Sequence, residues 1–461
     1  MDLFDSISPL DYRYYGRDKQ AFSALQPFLS ERARVKYLCR VESALARVLA
    51  KKGICSAQIA REIEGACNAV SVEEMYEQED VLRHDIRGLA NAIRSKVSDT
   101  AKPFVHFSAT SYDIVDSANA LRFKEAAEKA LLPALMELER VLMDLALREK
   151  DTIQIGRTHG QHAEPITFGL FIAGYVSRLG NRIQAIERSK NALTGKFSGA
   201  VGAYNASSLL VQDPLEFELE VMRELGLSPS VSSTQIVEPE PLTDFMHALI
   251  SCFGVLANFA DDMRHLQRSE IGETGEAFET KQVGSSTMPQ KRNPINFENV
   301  KSFWKAFVPR MTTVYLDQVS EHQRDLTNSA SQRFLPEMIV ALYLCTVRLS
   351  KVVSRARVDH ANMERNFDLN KSFIAAEPLY ILLAFHGHPD AHEAVRGLTL
   401  KAQLEGKGLM KIARSDKTLT PFLDRFTPAQ RALLEDPLQY TGIASKKTTY
   451  IAEHWKKELG L

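Results

Sequence analysis

The chain has 461 residues and a net charge of −1, with 57 Lys and Arg against 58 Asp and Glu, so no global field gathers nucleic acid or an anionic membrane and any anion must be held by local groups. Hydrophobic residues at 44% and charged residues at 25% exclude a disordered or fibrous chain, and the length predicts two or three domains rather than one core. Five cysteines, an odd number, widely spaced and without a CxxC pair, exclude a disulfide framework or a zinc ribbon and fit a reducing cytoplasm.

The N-terminal stretch MDLFDSISPLDYRYYG carries an acid at position 2 and no apolar h-region. No window reaches about 18 uninterrupted apolar residues, so neither a signal peptide nor a membrane span is expected. Residues 1–111 hold short helical patterns, including a capping box Ser71-Val-Glu-Glu74, and are taken as an N-terminal helical domain. From there Leu131, Leu135, Leu138, Leu142 and Leu145 step by four and three, the rhythm of helices packed nearly parallel, and Pro133 should kink or break the run. Ile166–Ile183 reads as a helix with small residues that permit close approach. In the next run Leu242, Phe245, Leu249, Cys252, Leu256, Phe259, Met263 and Leu266 alternate three and four without a miss; Met338, Leu342, Cys345, Leu349 and Val352 repeat the pattern. These segments belong to one bundle, residues 112–360, which is also the expected route of oligomerisation. Beyond it, shorter pieces punctuated by Pro378, Pro389, Pro421, Pro428 and Pro437 make a C-terminal helical domain, 361–461. β-Branched clusters are short and lack hairpin turn pairs, so the fold class is all-α, a three-domain subunit with a long central helix bundle.

Three polar stretches interrupt this pattern, and each reads as a hydroxyl-bearing turn feeding a helix start. HFSATSYDIVDSANAL (106–121) puts Thr110 and Ser111 ahead of the first long helix, and GRTHGQHAEPITFG (156–169) puts Thr158, His159 and His162 ahead of Pro165 and its helix. GSSTMPQKRNPINFENV (284–300) ends in Asn293-Pro294, an N-cap followed by proline at the first helical position. Helix starts present free N–H groups that hold anions. Taken singly these residues look like ordinary caps and structural histidines. Together they offer a general acid or base, hydroxyls and a lysine, the inventory for handling a dicarboxylate. His386, His388 and His392 are read as structure rather than a zinc site, since there is no HExxH and Pro389 marks a turn.

GSSTMPQKRNPINFE resembles the signature of the fumarase/aspartase superfamily, and TSYD and GRTHGQHAEP resemble its two other signature regions, in the same order. The likeness extends over essentially the whole chain. It implies a homotetramer that bundles the central helices of its subunits, with active sites shared between chains. Within the superfamily the chain is most similar to the adenylosuccinate lyases. Arg13 and Tyr14 in DYRYYG, with Arg324, Ser329 and Arg333 in HQRDLTNSASQRF, match the groups that hold the nucleotide phosphate there, and guanidinium forks suit phosphate geometrically. VLRHDIRG supplies Arg83 and His84, VHFSATS supplies His106, and SSTQIVEP supplies Gln235. Gln290 departs from the pattern: those enzymes usually carry histidine there, and MPQK is more familiar from argininosuccinate lyases.

The chemistry that this resemblance implies is β-elimination of fumarate, from adenylosuccinate to give AMP and from the succinyl carboxamide ribotide to give the carboxamide, in purine biosynthesis. Ser285 is assigned as the base, acting as an alkoxide, in a Gly-Ser-Ser loop that closes over substrate as a lid. His159 is the general acid, with His84 orienting it or bonding phosphate. Lys291, Asn293 and the helix start after them stabilise the aci-carboxylate. Glu298 holds a histidine of a neighbouring subunit in its charged form. Thr110, Ser111 and Thr158 grip the carboxylates, and Ser286 and Met288 complete the substrate contacts. Neither a metal nor an organic cofactor is expected. The partners are a nucleotide substrate and other copies of this chain, with no nucleic acid and no membrane, in the cytoplasm. Two further readings stand beside this one: another superfamily member, such as an argininosuccinate lyase or a muconate-type cycloisomerase, and a non-catalytic structural protein of the same fold.

Overall fold

The computed structural model describes residues 3–279 and 281–461. Among them helices dominate, and strands are confined to three two-stranded pairs, of which one has strands longer than two residues. The contacts fall into two compact units, each drawn from three stretches of chain. The first takes residues up to Glu137, Asn181–Leu256 and Val300–Arg348; the second takes Leu138–Gly180, Ala257–Asn299 and Leu349–Leu461.

In the first unit, α1 (Glu31–Lys51) begins where Ser30 Oγ accepts from Ala33 N, and it buries Val35, Leu38, Val41, Leu45, Val48 and Leu49. The predicted capping box opens α2 (Val72–Leu82): Ser71 Oγ accepts from Glu74 N at 3.1 Å while the Glu74 carboxylate accepts from Ser71 N at 2.8 Å. A tight corner at Arg83–His84, with Arg83 left-handed at φ 56°, then leads into α3 (Asp85–Arg94). The long helix from Ser111 does not break at Pro133. Between α4 (Ser111–Ala126) and α5 (Leu132–Arg148), Ala127–Leu131 winds one π-helical turn, and this wider turn accommodates the N–H that proline lacks.

The other long runs form α6 (Phe168–Asn191), α7 (Glu240–Leu266), α8 (Ile295–Phe307) and α9 (Leu335–Val353). Seven of the eight stripe residues of α7 are at most 9% exposed, as an inward-facing seam requires. α7 is long and apolar enough to cross a membrane by composition, yet 67% of that window is buried within the protein, which marks it as a core helix. α6 runs beside α7: Arg182 bonds Ser251 at 3.1 Å in the first unit, and Arg178 bonds Asn258 at 2.8 Å in the second. The C-terminal helices have their own core of Leu379, Leu383, Val395, Leu398, Leu409 and Ile412. There His388 accepts from Asp390 N, His386 pairs with Gln430, and His392 packs edge-on against Tyr380, three separate local roles.

Candidate active site

A cavity of about 860 Å³ opens in the first unit. α4 lines it with Ser111, Tyr112, Val115, Asn119 and Arg122, a stripe at helical spacing. Arg83 and His84 enter from the corner between α2 and α3, and Gln235, Ser329 and Arg333 from later segments. Six residues singled out from the sequence therefore meet here. His84 caps α3, its Nδ1 accepting from Arg87 N at 3.2 Å; the ring proton then sits on Nε2, which is left as a donor. Asp85 accepts from Arg34 at 2.9 Å and lies 3.7 Å from Arg333. Gln235 is held through its backbone: its N donates to the Gln323 carbonyl, and Asp116 on α4 accepts from Val237 N at 3.0 Å. Burial pushes the Asp116 carboxyl up to about 6.

The start of α4 is fixed from below. The Asp113 carboxylate accepts from Thr110 N at 2.8 Å and from Gly199 N at 3.2 Å, and it pairs with the buried Lys196 ammonium. Arg324 stacks its guanidinium 4.4 Å from the Tyr112 ring centre and donates Nη2 to the Tyr112 hydroxyl and to Asn328. Its Nε and Nη1 are buried with no acceptor among the described residues. A fork half used and half free is the arrangement an incoming anion completes. His106 sits apart with φ 58°, and its Nδ1 is 2.6 Å from Glu42, which is 1% exposed. Burial opposes charge on this imidazole, but the Glu42 carboxylate outweighs it and holds the ring above its ordinary value. Arg13 and Tyr14 lie on the short π turn Leu10–Tyr14, which offers the cavity Leu10 and Asp11, with Tyr15 after it; Tyr14 instead packs edge-on against Phe303.

In the second unit the expectation for Thr158, His159 and His162 needs correction. They do not precede a helix start. Residues 153–167 form an antiparallel hairpin, β1 (Ile153–Thr158) and β2 (Gln161–Thr167), with Pro165 paired to Ile155 inside it and α6 starting only at Phe168. Thr158 pairs with Gln161, so His159 and Gly160 are the two-residue turn, both left-handed at φ 54° and 74°. That is the turn whose twist matches the strands, and glycine supplies its second position at no steric cost. His159 is thereby exposed at the tip. The stem is locked by buried Glu273, which accepts from Gln154, Arg157 and Asn366.

The 284–293 loop also departs from its expected grammar. Asn293 is not the N-cap: its Nδ2 donates back to the Gly284 carbonyl at 2.9 Å and ties the two ends of the loop together. A Cβ on Gly284 would lie 2.1 Å from the Lys291 carbonyl, so only glycine allows this approach. Pro294 supplies the first accepting carbonyl of α8, to Glu298 N. The free amides of that helix start are already taken, because buried Glu276 accepts from Asn296 N and Phe297 N, both at 2.9 Å, and from the Asn296 side chain. An anion therefore finds no vacancy there, and the cations this loop presents are Lys291 and Arg292, the latter set over the Phe278 ring. Inside it, Ser285 Oγ accepts from Thr287 N at 3.3 Å and Met288 N at 3.1 Å. Ser286, Met288, Lys291 and Glu298 are exposed and Ser285 is half-buried.

Sequence reasoning passed over Tyr112, Asn119, Arg122 and Arg34. The available signal was the polar stripe within α4, where Asn119 and Arg122 continue the spacing from Ser111 through Val115.

Two family models match the chain, one described as lyase over residues 16–305 and one as adenylosuccinate lyase C-terminal over residues 320–428. The adenylosuccinate lyase of Pyrococcus abyssi is 36% identical over 424 residues, 91% of this chain and 92% of that protein. That of Pyrococcus horikoshii is 35% identical over 98% of this chain and 100% of its own length, and that of Bacillus subtilis is 31% identical over 76% and 80%. Among solved structures, a 3-carboxy-cis,cis-muconate lactonizing enzyme from Pseudomonas putida superposes with a TM-score of 0.81 at 24% identity, over 94% of this chain and 97% of that one, a likeness of fold.

Proposed function

Because the chain belongs to the adenylosuccinate lyase family of the fumarase/aspartase superfamily, we propose that the cavity beside α4 binds the nucleotide of a succinylated purine substrate and that neighbouring copies complete the site. The protein is a carbon–nitrogen lyase. Its reaction is the release of fumarate from adenylosuccinate, leaving AMP, and from the succinyl carboxamide ribotide, leaving the carboxamide.

The phosphate meets the free N–H groups of Arg324, with Ser329 and Arg333, and Arg13 and Tyr14 come over it from the N-terminal turn. His84 donates from Nε2 and Arg83 stands beside it. Thr110, Ser111 and Thr158 receive the carboxylates, His106 adds a cation kept charged by Glu42, and Gln235 positions the succinyl group. His159 on its hairpin tip and the 284–293 loop come from other subunits of a homotetramer, in the cytoplasm; their exposure on the single chain supports this. The segments 1–111, 112–360 and 361–461 act as its three domains, the last supported by its own apolar core.

In the reaction Ser285 takes the proton from the carbon next to a carboxylate. The electron pair forms the new carbon–carbon double bond as the carbon–nitrogen bond breaks, and His159 protonates the departing nitrogen. A serine hydroxyl is a weak base, but two backbone N–H groups point at Ser285 Oγ and favour the alkoxide once the loop is covered and dry. Lys291 stabilises the aci-carboxylate, Asn293 keeps the loop closed at its base, Ser286 and Met288 contact the substrate, and Glu298 holds a histidine of a neighbouring copy charged. The observation that carries the reading is the half-free Arg324 fork beside a cavity that gathers Arg83, His84, Ser329 and Arg333. Fumarate release followed by absorbance tests it: Ser285→Ala should lose several orders of magnitude in kcat, and near wild-type turnover by that variant removes the assigned base. An argininosuccinate lyase would show no dependence on a substrate phosphate.

A further inference from the structure

Of the cavity's arginines this mechanism gives no role to Arg34 and Arg122. Arg122 is 5% exposed, it lines the cavity, and its Nε has no acceptor among the described residues. Its neighbour Arg34 is in a different position, paired with Glu31 at 2.8 Å and Asp85 at 2.9 Å. Glu31 is occupied in turn, by Arg34 and by the Tyr76 hydroxyl at 2.8 Å. The Arg122 guanidinium lies 5.0 Å from the Phe123 ring centre and feels the Glu31 carboxylate, but its buried Nε meets no acceptor among the described residues, and a buried donor left without one marks a place where an anion can bind.

Its position indicates which anion. Arg122 lies ten residues beyond Tyr112 on α4, a rise of about 15 Å. Tyr112 holds Arg324, and Arg333 reaches Asp85, the acceptor of Arg34. A line of cations therefore leads from the assigned phosphate site toward Arg122. A single phosphate at Arg324 does not span that distance, but a chain of phosphates shortens it with each unit.

We propose that Arg122 forms a second anion subsite in this cavity and takes the terminal phosphate of nucleoside di- and triphosphates, which bind there as competitive inhibitors. This inference rests on the nucleotide reading of the cavity. The test is calorimetric titration of the whole protein with AMP, ADP and ATP, comparing wild type with Arg122→Gln and Arg122→Lys. ADP and ATP should bind wild type more tightly than AMP. That advantage should fall tenfold or more in Arg122→Gln and be partly kept in Arg122→Lys, because a charge-assisted hydrogen bond is lost in one and the charge is retained in the other. The ratio of affinities within one variant cancels any general loss of folding. If AMP binds and the ratio is the same in all three proteins, the second subsite is refuted while the nucleotide reading stands; if AMP does not bind wild type, both fall.

Discussion

Asp116→Asn isolates the energetic cost of the carboxylate that anchors the Gln235 segment to α4. Asp116 is 7% exposed and accepts a hydrogen bond from Val237 N. Burial raises its carboxyl from the ordinary 3.8 to about 6, with Lys196 and Arg324 only partly offsetting the loss of hydration. Well below pH 3.8 the group is protonated in both folded and unfolded chains and contributes no pH-dependent cost. Between the two values the folded chain binds more protons than the unfolded one, so stability falls as pH rises, and above about pH 6 the full cost is present. At about 1.36 kcal/mol for each tenfold change in proton affinity, the rise from 3.8 to about 6 makes that cost about 3 kcal/mol. Asparagine keeps an acceptor for Val237 N and carries no charge at any pH. The stability of Asp116→Asn relative to wild type should therefore grow by about 2.5 kcal/mol from pH 4 to pH 7 and then level off. Urea unfolding of both proteins at one fixed protein concentration across that range measures it, and a difference that stays flat or shrinks with pH would refute the reasoning.

Arg324→Gln should raise KM for adenylosuccinate ten- to a hundredfold, from loss of about 1.5–3 kcal/mol of charge-assisted bonding, and leave the response to a substrate lacking phosphate unchanged in steady-state kinetics. Glu276→Ala removes the acceptor of two backbone amides and one side-chain amide at the start of α8; a loss of roughly 3 kcal/mol should appear as a lowered Tm. Gly160→Ala places a Cβ in open space but at φ 74°, so it should cost about 1 kcal/mol through the backbone alone and lower kcat more than it changes KM, by shifting His159. If sites are shared between chains, mixing inactive His159→Ala and Ser285→Ala proteins and letting them re-associate should restore measurable fumarate release, and a mixture that stays silent argues against sharing.

The sequence by itself determined whatever depends on neighbours along the chain. The α7 seam was legible because a three-and-four alternation of apolar residues admits one helical solution, and the Ser71 capping box because both of its partners lie within one turn. The signature motif, with Ser285 and Lys291, was legible for the same reason. Tertiary structure decided what depends on distant partners. The amides at the start of α8 went to Glu276, some twenty residues upstream, rather than to adjacent Asn293. The hairpin at 153–167 hid behind a His-Gly turn in place of the usual Asn-Gly, and its stem is held by Glu273, more than a hundred residues away. Pro133 read as a kink or a break, and the structure instead winds one wider turn ahead of it, which relieves the same missing N–H. Which face of α4 lines a cavity, and so whether Arg122 meets solvent, a carboxylate or nothing, is fixed only when α1, α3 and α9 pack around it.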